Sequence, residues 1–268
     1  MIGTVKLSAF CPTLEYVRPI GFRAGVEQFQ GQWQGQCVFV KRLQSAEELH
    51  RQQLLHEGQI AGRLSHPLIV PLLTRSRQEL VFQFVEGCTL RQLIDAGPLA
   101  PEVATRLIEG LLEALIYLHA EGVVHHDLKP ENVMLDGCCP EQSAVRLIDF
   151  GMAFNRQANH DTHAGTRMGT PHFMAPEQFQ GVRGDARSDL YALGVLFWDA
   201  LAGQPPHEDP LSWLIGLPSE RGLVPGPPEL HPLLLRSLHR DPEQRFQSAE
   251  EMLATLRQTS SIRTEEAS

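Results

Sequence analysis

Apolar and polar positions follow two different regimes along the chain. Across residues 16–86 the apolar residues come in short, strand-like runs with one helical stretch among them. In residues 35–43 (GQCVFVKRL), Cys37, Phe39 and Leu43 keep alternate positions with Val38 and Val40 between them, which predicts a largely buried strand ending at Lys41. Ser45-Ala46-Glu47-Glu48 pairs a cap serine with a glutamate three residues on, so a helix is expected to start there. Leu49, Gln53, His56, Ile60 and Leu64 carry it at helical spacing to Ser65-His66-Pro67, where the proline should end it. Residues 80–85 (LVFQFV) predict another buried strand. From Gly87 the period turns helical: Pro101 suits a first helical position, and Leu107, Leu111, Leu115 and Leu118 form one apolar face. Glu86-Gly87 therefore reads as a hinge between a strand-rich lobe, residues 1–86, and a larger helical lobe, residues 87–268. The polar tail from about residue 258 is expected to fray.

Composition narrows the function classes. The 268 residues, 42% apolar and 21% charged, are enough for one large domain or two small lobes. A formal charge of −9 disfavours nonspecific nucleic-acid binding, which needs a basic face to displace counterions. Residues 190–203 (LYALGVLFWDALAG) form the strongest apolar stretch, too short to span a bilayer and interrupted by Asp199. The N-terminus does not read as a signal peptide. Five scattered cysteines without a CxxC pair support neither a disulfide framework nor a zinc knuckle. The expectation is a cytoplasmic protein with no nucleic-acid or membrane partner. Lysine occurs only at Lys6, Lys41 and Lys129, and asparagine only at Asn132, Asn155 and Asn159.

The chemistry concentrates in residues 123–135 (VVHHDLKPENVML), where His125, Asp127, Lys129 and Asn132 give the spacing H-x-D-x-K-x-x-N. Phosphoryl transfer asks a protein for positioning and charge stabilisation more than for covalent chemistry. Asp127 can take the proton of an acceptor hydroxyl, Lys129 can sit by the transferring phosphate, and Asn132 can offer Mg2+ an amide oxygen. Asp149 lies seventeen residues beyond Asn132, and Leu147-Ile148-Asp149-Phe150-Gly151 reads as a strand ending in that carboxylate and a turn. Asp149 then supplies a second oxygen ligand for a hard cation that bridges phosphates.

In these motifs the chain resembles the eukaryotic-type Ser/Thr protein kinases also found in bacteria, from about Ile20 to Leu256 and in the family's motif order. The resemblance implies an α+β, two-lobed kinase-like fold, with a small antiparallel-sheet N-lobe carrying one helix and a larger, mainly helical C-lobe. It implies ATP and Mg2+ and a protein substrate with a Ser or Thr acceptor; any regulatory input is expected from a protein partner or the expression context. Lys41 in VFVK stands where the family's lysine holds the nonreacting phosphates, and Glu57 where a helix carboxylate pairs with it. Asp127, Lys129 and Asn132 match the catalytic loop, with Asn132 and Asp149 as metal ligands. Gly21, Gln83, Val85 and Met134 would line the nucleotide, with Phe82 as gatekeeper. Thr162, Thr166 and Thr170 fall in the activation segment, which ends in Ala175-Pro176-Glu177. Asp189 resembles the anchor of the central helix, Arg245 the partner of Glu177, and Leu72, Ala61, Phe150 and His125 a packed column between the lobes.

Several positions depart from the family pattern. The three glycines of the phosphate loop fall on Gly21, Arg23 and Val26, with Gly25 one residue away. Phe39 replaces the small residue beside adenine, and Gln28 replaces the valine that roofs the base. A pseudokinase or scaffold with Phe39 filling the adenine slot is therefore an alternative, and a small-molecule phosphotransferase a more distant one. His126 replaces the arginine that grips a phosphorylated segment, which implies activity without that phosphate or a ring that responds to pH. His160, His163 and His172 read as solvated polar residues, and Cys138-Cys139 as exposed thiols.

Overall fold

Side-chain alternation builds an N-terminal sheet with one helix packed against its strands. In the computed structural model, which describes residues 14–157, 169–214 and 222–266, the first elements are β1 (Glu15–Arg23), β2 (Val26–Trp33) and β3 (Gln36–Leu43). They are followed by α1 (Glu48–Ala61), β4 (Leu72–Arg75) and β5 (Glu79–Gln83). The five strands pair antiparallel in the order β1-β2-β3-β5-β4. Val38 and Val40 of β3 are fully buried with Val81 of β5, while Lys41 on the other face lies opposite Gln28 and Leu80.

Three boundaries differ from the sequence expectation. Strand β3 continues past Lys41 to Leu43, because Arg42 still pairs with Glu27 and Glu79 on the two sides. Helix α1 starts at Glu48, and Ser45 is not its cap. The Ser45 N–H donates to Gly25 O at 3.0 Å and its hydroxyl meets the His50 ring at 2.8 Å, so the β1–β2 turn captures the residue meant for the helix. The helix also ends at Ala61, well before Pro67, where Gly62 folds its N–H back on Gly58 O and Ile60 O.

The rest of the chain is mainly helical. It runs through β6 (Gly87–Thr89), α2 (Leu90–Asp95), α3 (Pro101–Ala120), β7 (Val123–Val124), β8 (Val133–Asp136), β9 (Val145–Leu147) and β10 (Phe154–Asn155). Then come α4 (Pro176–Phe179), α5 (Arg187–Ala202), α6 (Pro210–Leu214), α7 (His231–Ser237) and α8 (Ala249–Glu266). As expected, α3 begins at Pro101 and buries Leu107, Leu111, Leu115 and Leu118 together, against α5 and α8. Each such leucine contributes about 2 kcal/mol of burial. Helix α5 is buried along nearly its whole length and packs against α3 and α7. The tail does not fray at residue 258, since α8 runs to Glu266 and Arg257 reaches Glu113 of α3 at 2.7 Å. No helix among the described residues is long and apolar enough to cross a membrane.

Candidate active site

The sheet and the helical part enclose a cavity of about 710 Å³. Gly21, Lys41, Glu57, Gln83, Val85, Met134, Asn132 and Asp149, distant in sequence, all line it. Phe39, Gln28 and Phe82 line it as well. Phe39 faces Phe82 across the β3–β5 ladder and leaves the cavity open.

Two backbone features shape the cavity's upper edge. Arg23 pairs with Val26 across a two-residue turn in which Ala24 and Gly25 have φ of 48° and 71°, the left-handed pair of a tight hairpin. The glycine of this loop is therefore spent on the turn, not on a phosphate cradle. Gly21 lies opposite Gln28, whose side-chain oxygen would be 3.6 Å from a Cβ placed there.

On the sheet side, Lys41 is the central charge. Its Nζ donates to Glu57 Oε1 at 2.6 Å and to Asp149 Oδ1 at 3.0 Å. Burial disfavours the ammonium, but the Asp149 and Glu57 carboxylates outweigh it and raise the Lys41 pKa above its ordinary value. Asp149 shifts the other way: burial would raise it, yet Lys41 and the Gly151 N–H hold its carboxyl well below the usual carboxylate range. Asp149 adopts φ of 65°, a left-handed conformation rare outside glycine, and its Oδ1 accepts the Gly151 N–H at 3.3 Å.

On the helical side, strand β7 delivers the loop of His125, Asp127 and Lys129. Asp189, at the first turn of α5, anchors that loop by accepting the N–H groups of His125 and His126 at 2.8 and 2.9 Å. His119, at the end of α3, donates to the same carboxylate at 3.0 Å. Burial alone would raise the Asp189 pKa, but the His119 hydrogen bond and the neighbouring histidines hold it down to about 2. Sequence reasoning named Asp189 but missed His119, whose only signal is a basic residue in the last turn of an apolar helix.

Within the loop, Asp127 gathers the remaining polar groups. Lys129 Nζ donates to Asp127 Oδ2 at 2.7 Å and to Thr170 Oγ1 at 2.9 Å, and the Thr170 hydroxyl lies 3.5 Å from Asp127 Oδ1. The turn Pro130–Asn132 brings Asn132 Nδ2 to Asp127 O at 2.8 Å and Oδ2 at 3.1 Å. With its nitrogen so engaged, Asn132 keeps its amide oxygen for another partner. Thr162 and Thr166, with His160 and His163, lie outside the described residues.

Around this centre the supporting pairs are in place. Arg245 is fully buried and holds both Glu177 oxygens at 2.8 Å, while Ser188 donates to Glu177 at 2.7 Å. The His125 and Phe150 rings lie 5.3 Å apart, and Ala61 and Leu72 belong to the same core. His126 is packed inward with φ of 63°: its Nε2 accepts the Gly184 N–H at 2.9 Å and its ring edges onto Phe154. Gln178 donates to the His126 carbonyl at 3.0 Å. Thr89, Gln92 and Glu131 also line the cavity; sequence reasoning passed over them, although Glu131 sits directly before Asn132.

Comparison with known proteins agrees with this geometry. The model described as "Protein kinase domain" matches residues 20–255. The serine/threonine-protein kinase PknB of Mycolicibacterium smegmatis is 33% identical over 225 residues, covering 75% of this chain and 34% of that protein. The serine/threonine-protein kinase PrkC of Bacillus subtilis is 31% identical over 214 residues, covering 75% of this chain and 32% of that protein. The chain thus spans about a third of the length of these relatives.

Proposed function

Because the chain belongs to the protein kinase family, we propose that it moves the γ-phosphate of ATP onto Ser or Thr hydroxyls of proteins, with Mg2+ as its metal. The names of its similar relatives support the Ser/Thr class. The proposal includes two lobes, residues 1–86 and 87–268, that pivot at Glu86-Gly87, and regulation by a protein partner.

One observation carries the reading: Lys41, Glu57, Asp149 and Asn132 converge on one cavity, with Asp127 bound to Asn132 at its edge. Lys41, kept protonated by its two carboxylates, holds the nonreacting phosphates. Asp127 orients the acceptor hydroxyl and receives its proton as the new P–O bond forms and the bond to the ADP oxygen breaks. Lys129 balances charge on the transferring phosphoryl group, and Thr170 links it to the activation segment. The free amide oxygen of Asn132 and the carboxylate of Asp149 form an all-oxygen donor set that fits a hard cation. Mg2+ there would neutralise phosphate charge. Gln83 and Val85 face the adenine edge with Met134 beneath it, and Gly21 lies over the phosphates. Thr162 and Thr166 complete the proposed activation segment.

An open cavity of about 710 Å³ beside Phe39 supports nucleotide entry over a filled slot. Labelled γ-phosphate transfer to a generic protein, followed by phosphoamino-acid analysis, tests the proposal. Phosphoserine or phosphothreonine is expected; a protein that shows neither a nucleotide-dependent melting shift nor transfer contradicts it.

A further inference from the structure

Three of the chain's cysteines gather beside the segment where the two lobes are proposed to pivot. Cys88 lies in β6, directly opposite Leu135 of β8, and is half-buried. Strand β8 leaves through a tight turn in which Gly137 and Cys138 both have positive φ, 60° and 54°. The Cys138 N–H donates to Leu135 O at 3.0 Å, and the Cys139 N–H donates to Asp136 O at 3.1 Å. The turn therefore folds Cys138 back toward Leu135, the residue that faces Cys88. It also grips the chain entering β6, since the Gly137 N–H donates to Glu86 O at 2.6 Å. Gly87 fits only because it has no side chain: a Cβ there would lie 1.9 Å from Leu135 O.

Burial and the neighbouring Cys138 thiol push the Cys88 thiol up to about 11. Cys138 is exposed. The pair thus has one sulfur open to a small oxidant and a second, protonated sulfur waiting behind it.

We propose that Cys88 and Cys138 form an oxidisable dithiol whose disulfide, made by hydrogen peroxide, fixes the segment at Glu86-Gly87. The Cys138 sulfur attacks peroxide, forming an S–O bond as the O–O bond breaks, and the leaving hydroxide takes the thiol proton to become water. Cys88 then displaces the hydroxyl from that sulfur, forming the S–S bond and releasing a second water. Two thiols lose two hydrogens and peroxide is reduced to two waters. The bond ties β6, whose Gly87 and Thr89 line the cavity, to the turn after β8, whose Met134 lines its other side. Its effect on turnover rests on the kinase reading; the bond and its local stiffening do not.

The test treats the intact chain with hydrogen peroxide, maps its peptides without reduction and follows backbone hydrogen exchange. A peptide joining Cys88 to Cys138, lighter by two hydrogens and split by dithiothreitol, is expected. Exchange at residues 86–89 and 137–139 should slow on oxidation and recover on reduction. Cys139→Ser should retain the bond, while Cys88→Ser and Cys138→Ser should each lose both the bond and the exchange change. A bond between Cys138 and Cys139, free or overoxidised thiols at 88 and 138, or unchanged exchange in the bonded protein overturns the proposal. None of these readouts needs bound nucleotide, so they stand apart from the test of phosphoryl transfer.

Discussion

The two walls of the cleft hold their charged groups by different means. On the helical wall two carboxylates each gather several partners: Asp189 takes two loop N–H groups and His119, and Asp127 takes Lys129 and Asn132. On the sheet wall one chain of charges, Glu57 to Lys41 to Asp149, is held closely. Phe39 and Gln28 line the cavity around it, as does Arg23, which borders the two-residue turn. Chemistry that moves a proton and a phosphoryl group needs fixed atoms. A base-binding roof needs chiefly shape and apolar area, and so accepts more substitution.

This contrast predicts a graded set of losses. Asp127→Ala should lower the phosphoryl-transfer rate by about 10²- to 10⁴-fold while leaving the nucleotide-induced melting shift intact, as measured with labelled ATP and by thermal denaturation. Arg245→Ala, far from the chemistry, should destabilise the helical wall by about 3–5 kcal/mol in urea unfolding, because it leaves the Glu177 carboxylate buried without its partner.

Acid should act through Asp189. Its folded pKa of about 2 lies below the ordinary value of 3.8, so its stabilisation is fully present above the unfolded value and is lost as pH falls through the folded one. That difference corresponds to roughly 2 kcal/mol, to be read as a fall in unfolding free energy between about pH 4 and pH 2 that Asp189→Asn lacks. The smallest effect should come from the permissive wall. Phe39→Ala should tighten nucleotide binding a few-fold, about 1 kcal/mol by titration, and a loss of binding would show that the ring stacks on the base instead.

The same contrast explains what could be read in advance. The helical wall is written in local spacing: the four leucines of α3 share one face, and His125, Asp127, Lys129 and Asn132 lie within one short loop. The pairing of Lys41 with Glu57 was legible only through the family resemblance, and a strand and the helix after it bring the two together. What was misread depends on partners far along the chain. Ser45 looked like a cap until Gly25 claimed its N–H, and the polar tail looked loose until Arg257 met Glu113. His119 gave little sign of its bond to Asp189, 70 positions away. Such contacts leave no periodic trace, because tertiary packing and not local propensity decides them.

Both walls are tested together by measuring γ-phosphate transfer from Mg-ATP by the wild type and by Asp127→Ala, each at a nucleotide concentration that saturates its melting shift. Transfer by the wild type with near-complete loss in the variant, at equal nucleotide occupancy, is the predicted result. Equal transfer rates in the two proteins would contradict the assignment of Asp127, and with it the division of labour between the walls.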